Sequence, residues 1–289
     1  FLHTLSLHDA LPISLGVYIT YRVLDIADLT VEGSFPLGAA VAASMLSAGY
    51  GPIPSFLVAA LAGMVAGVVT ALLHTKMKIP ALLAGILTMI ALYSVNLRVM
   101  GKANLSLLGT DTTFSIIRKM LSLNSAYTTL VVGLLATVLV AVFIYWFFGT
   151  EIGAAIRATG FNQQMIRAQG VDTDVTIMIG LLLSNALVAI SGALVAQSNG
   201  FADVGMGTGT IVIGLASVII GEVLFGTRSF KNSVISVILG SVVYRIVIAV
   251  VLQMGMPPND LKLFTSILVA FALAMPLIKS KFGAKKVVG

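Results

Sequence analysis

The chain has 289 residues, 58% of them hydrophobic and 10% charged, with a mean hydropathy of +1.06. That balance excludes a soluble globular domain, and the lack of cysteine excludes disulfides, thiolate metal sites and cysteine nucleophiles. The net charge of +6 is not a nucleic-acid signal in so apolar a chain, because surplus Lys and Arg there mark loops facing anionic lipid.

The first stretch, Phe1 to Ser14, reads FLHTLSLHDALPIS, lacks an initiator Met, and puts Asp9 and Pro12 where an apolar helix should run. It resembles the translation of a sequencing adapter, so fold reasoning starts at residue 15. The first membrane helix is then expected to survive only as Leu15 to Leu24. Further apolar runs fall at roughly 36–48, 53–73, 79–97, 126–148, 175–198, 210–225, 233–252 and 262–278. Runs of about 18 to 25 apolar residues satisfy their own backbone hydrogen bonds in lipid as helices, and these lack the ~10-residue alternation of barrel strands. The predicted fold is all-α: a polytopic transmembrane helical bundle of about eight or nine membrane segments with broken helices. It forms one domain over residues 15–289.

Two places interrupt the apolar pattern. The first runs from Asp25 through Asp28 and Glu32 to Pro36, where Gly33 and Pro36 favour a chain break and a helix start near Pro36. The second is Asn199 to Gly209, which holds Asp203 and four glycines. Ala27-Asp28 and Ala202-Asp203 stand in similar places ahead of Gly38 and Gly214, a faint echo of duplication. Interrupted helices in corresponding positions of two halves point to a transport site. The acidic residues suit the amino group of a zwitterion, with a half-helix N-terminus taking its carboxylate; a solvated turn is the alternative. Small residues at Ala59/Gly63/Gly67 and at Gly180/Ser184 predict close helix packing.

Between two long apolar runs lies a polar island of 26 residues, Gly149 to Asp174, carrying Arg157 and Arg167. Gly160 splits it into two short helices as a hinge, Asn162 is placed to cap the second, and Gly170 to end it. Such a compact cationic segment suits docking of a soluble partner. On the helix that follows, Ser184, Asn185 and Gln197 either line a polar groove or join helices. Glu222 and Arg245 fall inside apolar runs. An ionised carboxylate at mid-helix costs about 2.5–3.5 kcal/mol, so Glu222 faces a cavity or pairs with Arg228 near the headgroups. Arg245 snorkels or meets an acidic neighbour.

If the island is cytoplasmic, alternation puts Lys76, Lys78, Arg157, Arg167, Arg228, Lys231, Lys279, Lys281, Lys285 and Lys286 on its side. Arg98, Lys102, Arg118, Lys119 and Lys262 fall opposite. Ten cations against five favour that orientation. His3, His8 and His74 do not cluster as metal ligands, and no GK[ST] phosphate loop occurs. No paired catalytic groups stand at membrane depth, so the chain does not read as an enzyme.

The island's Gly153-Ala-Ala-Ile156-Arg157-Ala158-Thr159-Gly160-Phe161-Asn162, then Ala168-Gln-Gly170-Val171, resembles the cytoplasmic loop of ABC importer permeases of the ribose and branched-chain amino acid type. Gly192-Ala-Leu-Val, the glycine-rich Asn199 to Gly209, and Gly214 through Gly221 to Phe225-Gly226 continue the likeness. The wording from Leu24 to Phe35 is most similar to permeases of the tryptophan/tyrosine type. Glu222 departs from the small residue common in sugar permeases.

The resemblance implies a multi-pass protein of the bacterial inner membrane that moves a small solute, an amino acid and, on the tryptophan/tyrosine-type wording, an aromatic one. It implies four partners: a soluble ABC ATPase subunit, an extracytoplasmic substrate-binding protein, a second permease copy as a homodimer, and the lipid bilayer. Nucleic acid is not among them. ATP would be bound by the ATPase, and this chain would hold no cofactor and no metal. Residues 149–174 would be the coupling loop, with Ile156 and Phe161 as apolar anchors and Arg157 as a charge contact. Ala158, Thr159, Gly160, Asn162 and Arg167 would complete it. Asp25, Asp28, Glu32, Asn185, Asp203 and Glu222 are the candidate substrate pathway. The alternative is a self-sufficient carrier coupled to protons or sodium through the membrane carboxylates.

Overall fold

A computed structural model of the chain describes residues 7–122, 124–255, 257, 260–261, 263–271 and 274. The elements in chain order are α1 (Leu7–Tyr18), a π-helical turn (Ile19–Val23), α2 (Val31–Ser47), α3 (Pro52–Thr75), α4 (Ala81–Met100) and β1 (Asn104–Ser106). Then come α5 (Thr113–Leu121), α6 (Ser125–Phe148), α7 (Glu151–Phe161), α8 (Gln163–Ala168) and α9 (Thr173–Asn199). The rest are β2 (Phe201–Asp203), a 3-10 turn (Val204–Gly207), α10 (Thr210–Phe225) and α11 (Phe230–Gln253). Residues 261, 263–271 and 274 are helical, and Thr265 meets Tyr244 of α11 at 3.3 Å. The rest of the expected run 262–278, and with it Lys262 and the four lysines from Lys279 onward, lies outside the described residues.

Among the described residues six helices are long and apolar enough to cross a membrane: α3, α4, α6 from Tyr127, α9, Val204–Phe225 and α11. The helix α9 is the axis of the bundle. Its apolar window is 78% buried, against 22% for α6 at the periphery. Small residues bring the neighbours in. A Cβ at Gly63 or Gly67 of α3 would come within 2.4 and 2.5 Å of the Asn185 and Leu181 carbonyls. Gly192 of α9 lies as close to the Phe35 carbonyl of α2. Without a hydrophobic drive between helices in lipid, such backbone approach is what holds them together. Leu11, Ile13 and Leu15 of α1 are buried, so the packed interior includes residues on both sides of the boundary drawn at Ser14.

Two helices are short. α2 has 17 residues and α10 has 16, which at ~1.5 Å per residue gives roughly 25 Å, less than the ~30 Å hydrocarbon core. Both follow the breaks read in the sequence. α2 starts at Val31 rather than near Pro36, because Asp28 accepts the Thr30 backbone N–H at 2.9 Å and organises the first turn early. Pro36 sits inside the helix and frees the Glu32 carbonyl, beside which Gly207 packs with no space for a Cβ.

Two features were not anticipated. β1 and β2 pair antiparallel at one end of the bundle, and the short α5, capped by Thr112 and Ser115, lies against α6. At the opposite end, Asp174 draws in Arg167 at 3.2 Å, Lys76 at 3.5 Å and Lys78 at 4.0 Å. These three cations therefore share one side of the molecule with the polar island.

Candidate functional site: a polar knob and a cleft between broken helices

The polar island folds as α7 and α8. Thr150 caps α7, accepting from the Gly153 N–H at 3.3 Å, and Asn162 caps α8, accepting from the Met165 N–H at 3.0 Å. Gly170 closes the segment at φ +87°, a conformation glycine adopts freely. The break between the helices is at Asn162 (φ −158°, ψ 98°). Gly160 is not the hinge: it lies inside α7, where an added Cβ would stand 1.9 Å from the Val23 carbonyl. It is glycine because two backbones touch there.

The inner face of α7 is Gly153, Ile156, Thr159 and Gly160, a helical stripe. Gly153 rests on the end of α6, and Thr159 bonds Thr176 of α9 at 2.8 Å. Ile156, expected as an apolar anchor for a partner, is fully buried in the chain's own core. The stripe needs an apolar plug between α6, α9 and the π turn. Phe161, at the end of α7, is 89% exposed, and Ile152 at its start and Met165 in α8 are exposed as well. Ala158 is half-buried. Arg157 lays its guanidinium over the Phe230 ring at 5.0 Å, a cation–π contact. Arg167 is committed within the chain, bonding Thr173 and Asp174 and so tying α8 to the start of α9.

The candidate pathway residues fall at three levels. Asp203 belongs to the β end, accepting from Gly205 N–H at 2.7 Å and from Asn104 at 3.3 Å. Asp28 and Asn185 lie near the middle of α9. Asn185 donates to Asp28 at 2.9 Å and to the Leu181 carbonyl at 2.9 Å, and accepts from Ser34 at 2.6 Å. Both are buried, and their bonds join α2 to α9. Glu222 and Asp25 sit at the knob end. The expected partner of Glu222, Arg228, is replaced by Arg22, 2.9 Å away on the π turn. α1 packs along α10, whereas Gly226 (φ +77°) turns the chain away before Arg228. Exposed Asp25 shares a cavity of about 500 Å³ with Arg22, Arg157 and Phe161.

The carboxylates of the first break thus do not form one cluster. Asp25 lies in the cavity at the knob end, Asp28 is buried, and Glu32 lines a separate cleft. That cleft, about 450 Å³, lies between α2 (Glu32, Gly33, Pro36), α4 (Met89, Ile90, Tyr93, Asn96) and the second break (Val204, Gly205, Thr208). The two broken segments meet there: Glu32 accepts the Gly209 N–H at 3.0 Å, at the start of α10. Both short-helix N-termini are therefore occupied by the chain's own carboxylates, Asp28 at α2 and Glu32 at α10. Neither is vacant for a cargo carboxylate as the sequence suggested. Asn96 and Tyr93 were not singled out in the sequence. The available signal was a lone Asn within an apolar run.

Comparison with known proteins gives the family. Residues 10–274 match the model for the permease component of branched-chain amino acid transport systems. The chain is 40% identical over 261 residues to a tyrosine transport system permease protein of Clostridioides difficile, covering 90% of this chain and 85% of that one. It is 35% identical over 268 residues to an uncharacterized protein of Rickettsia prowazekii, covering 91% and 92%. A shorter match, 30% identical over 165 residues, links it to an autoinducer 2 import system permease protein of Yersinia pseudotuberculosis, covering 57% and 45%. No solved structure matches. With its apolar helices and its match over nearly the whole length, this multi-pass membrane protein belongs to the family of branched-chain amino acid transport system permease components.

Proposed function

We propose that this chain is the membrane subunit of an ABC importer of the bacterial inner membrane, working as a homodimer with a soluble ATPase and an extracytoplasmic binding protein. The likeness to a tyrosine transport permease favours an amino acid, an aromatic one in particular, as cargo. About eight or nine segments complete the bundle once α1, α2 and the last helix join the six long spans. Residues 15–289 form the permease domain, and residues 149–174 its coupling loop on the cytoplasmic side.

The observation that carries the proposal is the knob. α7 is locked to the bundle by backbone contact at Gly160 and by buried Ile156 and Thr159, yet presents Phe161 almost fully to the outside. A partner that moves such an element moves what it is seated on. Coupling requires that the contacts differ between two states, and a rigid seat transmits that difference. In proteoliposomes, tyrosine uptake is expected only with the ATPase, the binding protein and ATP. Uptake driven by a proton or sodium gradient without the ATPase would overturn the proposal and establish the ion-coupled carrier instead.

A further inference from the structure

The geometry points to the cleft between α2, α4 and the second break as a binding site for an amine-bearing solute, with the side-chain carbonyl of Asn96 accepting its ammonium N–H. The site presupposes the permease function above. Asn96 is fully buried, and its amide N–H donates to the Gly33 carbonyl at 3.3 Å. A backbone carbonyl only accepts, so this bond fixes which way the amide lies. The other side of the amide, Oδ1, is buried without a hydrogen-bond partner, and Asn96 is one of the residues that line the cleft. Buried acceptors are rarely left unmet, because their desolvation is then uncompensated.

The surroundings decide the kind of donor. Glu32, next to the glycine that holds Asn96, brings a carboxylate to the same rim, and no cationic side chain lines the cleft among the described residues. The two N-termini that would favour an anion are already satisfied by Asp28 and Glu32. What is left is acceptor-rich and negative at one end. Elsewhere Pro36, Met89, Ile90, Tyr93 and Val204 supply apolar wall, with the hydroxyls of Ser94 and Thr208 among them, which suits a largely apolar body. A cationic amine on an apolar skeleton fits both halves.

The chain has no cysteine, so Ser94→Cys places a single thiol at the cleft without further engineering. In purified permease in lipid vesicles, the rate ratio of a cationic aminoethyl to an anionic sulfonatoethyl thiosulfonate reagent should exceed the ratio for a free thiol in solution by on the order of tenfold. Glu32→Gln should erase that preference. Tyramine and tyrosine should protect the thiol, and 3-(4-hydroxyphenyl)propionate, which has no amine, should not. Asn96→Leu in the same background should keep labelling and lose protection.

A rate ratio no higher than that of a free thiol would overturn the assignment. So would protection by the amine-free acid equal to that by tyramine, or protection retained in Asn96→Leu. If Asn96→Leu fails to reach the membrane, Asn96→Ala, which removes the oxygen without adding bulk, carries the test: amine protection lost or weakened supports the site, and protection equal to wild type removes it. The labelling needs neither ATPase nor binding protein, so a failure of ATP-driven uptake and a failure of this site are told apart.

Discussion

Gly160→Ala tests whether the knob acts through its seat. The added methyl carbon would stand 1.9 Å from the Val23 carbonyl oxygen and 2.9 Å from Leu24 Cα. Both are backbone atoms and cannot rotate away. Restoring ordinary contact near ~3.5 Å requires α7 to lift or tilt on the order of 1.5 Å relative to the π turn. Overpacking of this kind costs about 1–3 kcal/mol. Ile156 and Thr159 on the same face share the displacement, since they are wedged between α9 and the end of α6. Helix propensity works the other way, because alanine stabilises a helix interior by up to about 1 kcal/mol over glycine. The knob itself should therefore stay helical while its attachment loosens.

The expected outcome is a drop of roughly tenfold or more in cargo-stimulated ATP hydrolysis and in uptake, the ratio that ~1.4 kcal/mol of lost coupling gives. ATPase binding should fall far less. Phe161→Ala is the matched control. It removes an exposed contact and leaves the seat intact, so ATPase binding should weaken with no change in the melting temperature of the permease. Wild-type stimulation by Gly160→Ala, with a crystal or cryo-electron structure showing α7 unmoved, would refute the reasoning.

Three further outcomes follow from the contacts. Asn162→Ala removes the cap on Met165 N–H and should cost about 1 kcal/mol locally, read as faster amide exchange over residues 163–168 with α7 unaffected. Asn185→Leu removes one of the two donors to the buried Asp28 side chain, the Thr30 N–H remaining, and should lower stability by about 1–3 kcal/mol, the usual result of leaving a buried acceptor unmet. Adding Asp28→Asn to that variant should recover much of the loss in a detergent melting experiment. Arg22 is about half exposed in its pair with Glu222, so Arg22→Ala should cost under about 1 kcal/mol, and exchanging the two residues should restore uptake if their pairing matters.

Local signals read well. The run lengths gave the long helices, and the Asn162 and Gly170 caps were visible because capping depends on residues a few places apart. What failed shares one cause. Gly160 looks like a hinge to anyone who sees only its neighbours, yet its function is set by Val23, which is distant in the chain. Ile156 looks like a surface anchor until α6, α9 and the π turn close over it. Glu222 was matched to the nearest downstream cation, and the fold supplied Arg22 from the π turn instead. Three carboxylates in eight residues looked like a cluster, but the chain turns between them, and each ends at a different depth. Asn96 was not singled out, and its bond to the Gly33 carbonyl shows the helix-joining role that amides in apolar runs usually have. Only the unpaired oxygen beside the cleft separates it from that role.

The same contacts define a short mechanical route between the two candidate sites. The knob sits on Val23 and Leu24, and Glu32 at the cleft follows in the same stretch of chain. Between them Asp28 is pinned to Asn185 on α9 and to the first turn of α2. A tilt of α7 therefore loads residues 24–27 against a fixed point. This segment is not helical, and Asp25 within it has φ +55°, so it is the place for the chain to yield. If it yields fully, the cleft does not feel the knob. If Asp28 moves with it, α2 rotates and Glu32 shifts against Gly209 at the start of α10. On this geometry the Asp28–Asn185 bond is the point that decides how much knob motion is passed on toward the cleft. Coupling through such a chain of contacts is established only by showing that both sites bias one element. The element to watch is the first turn of α2.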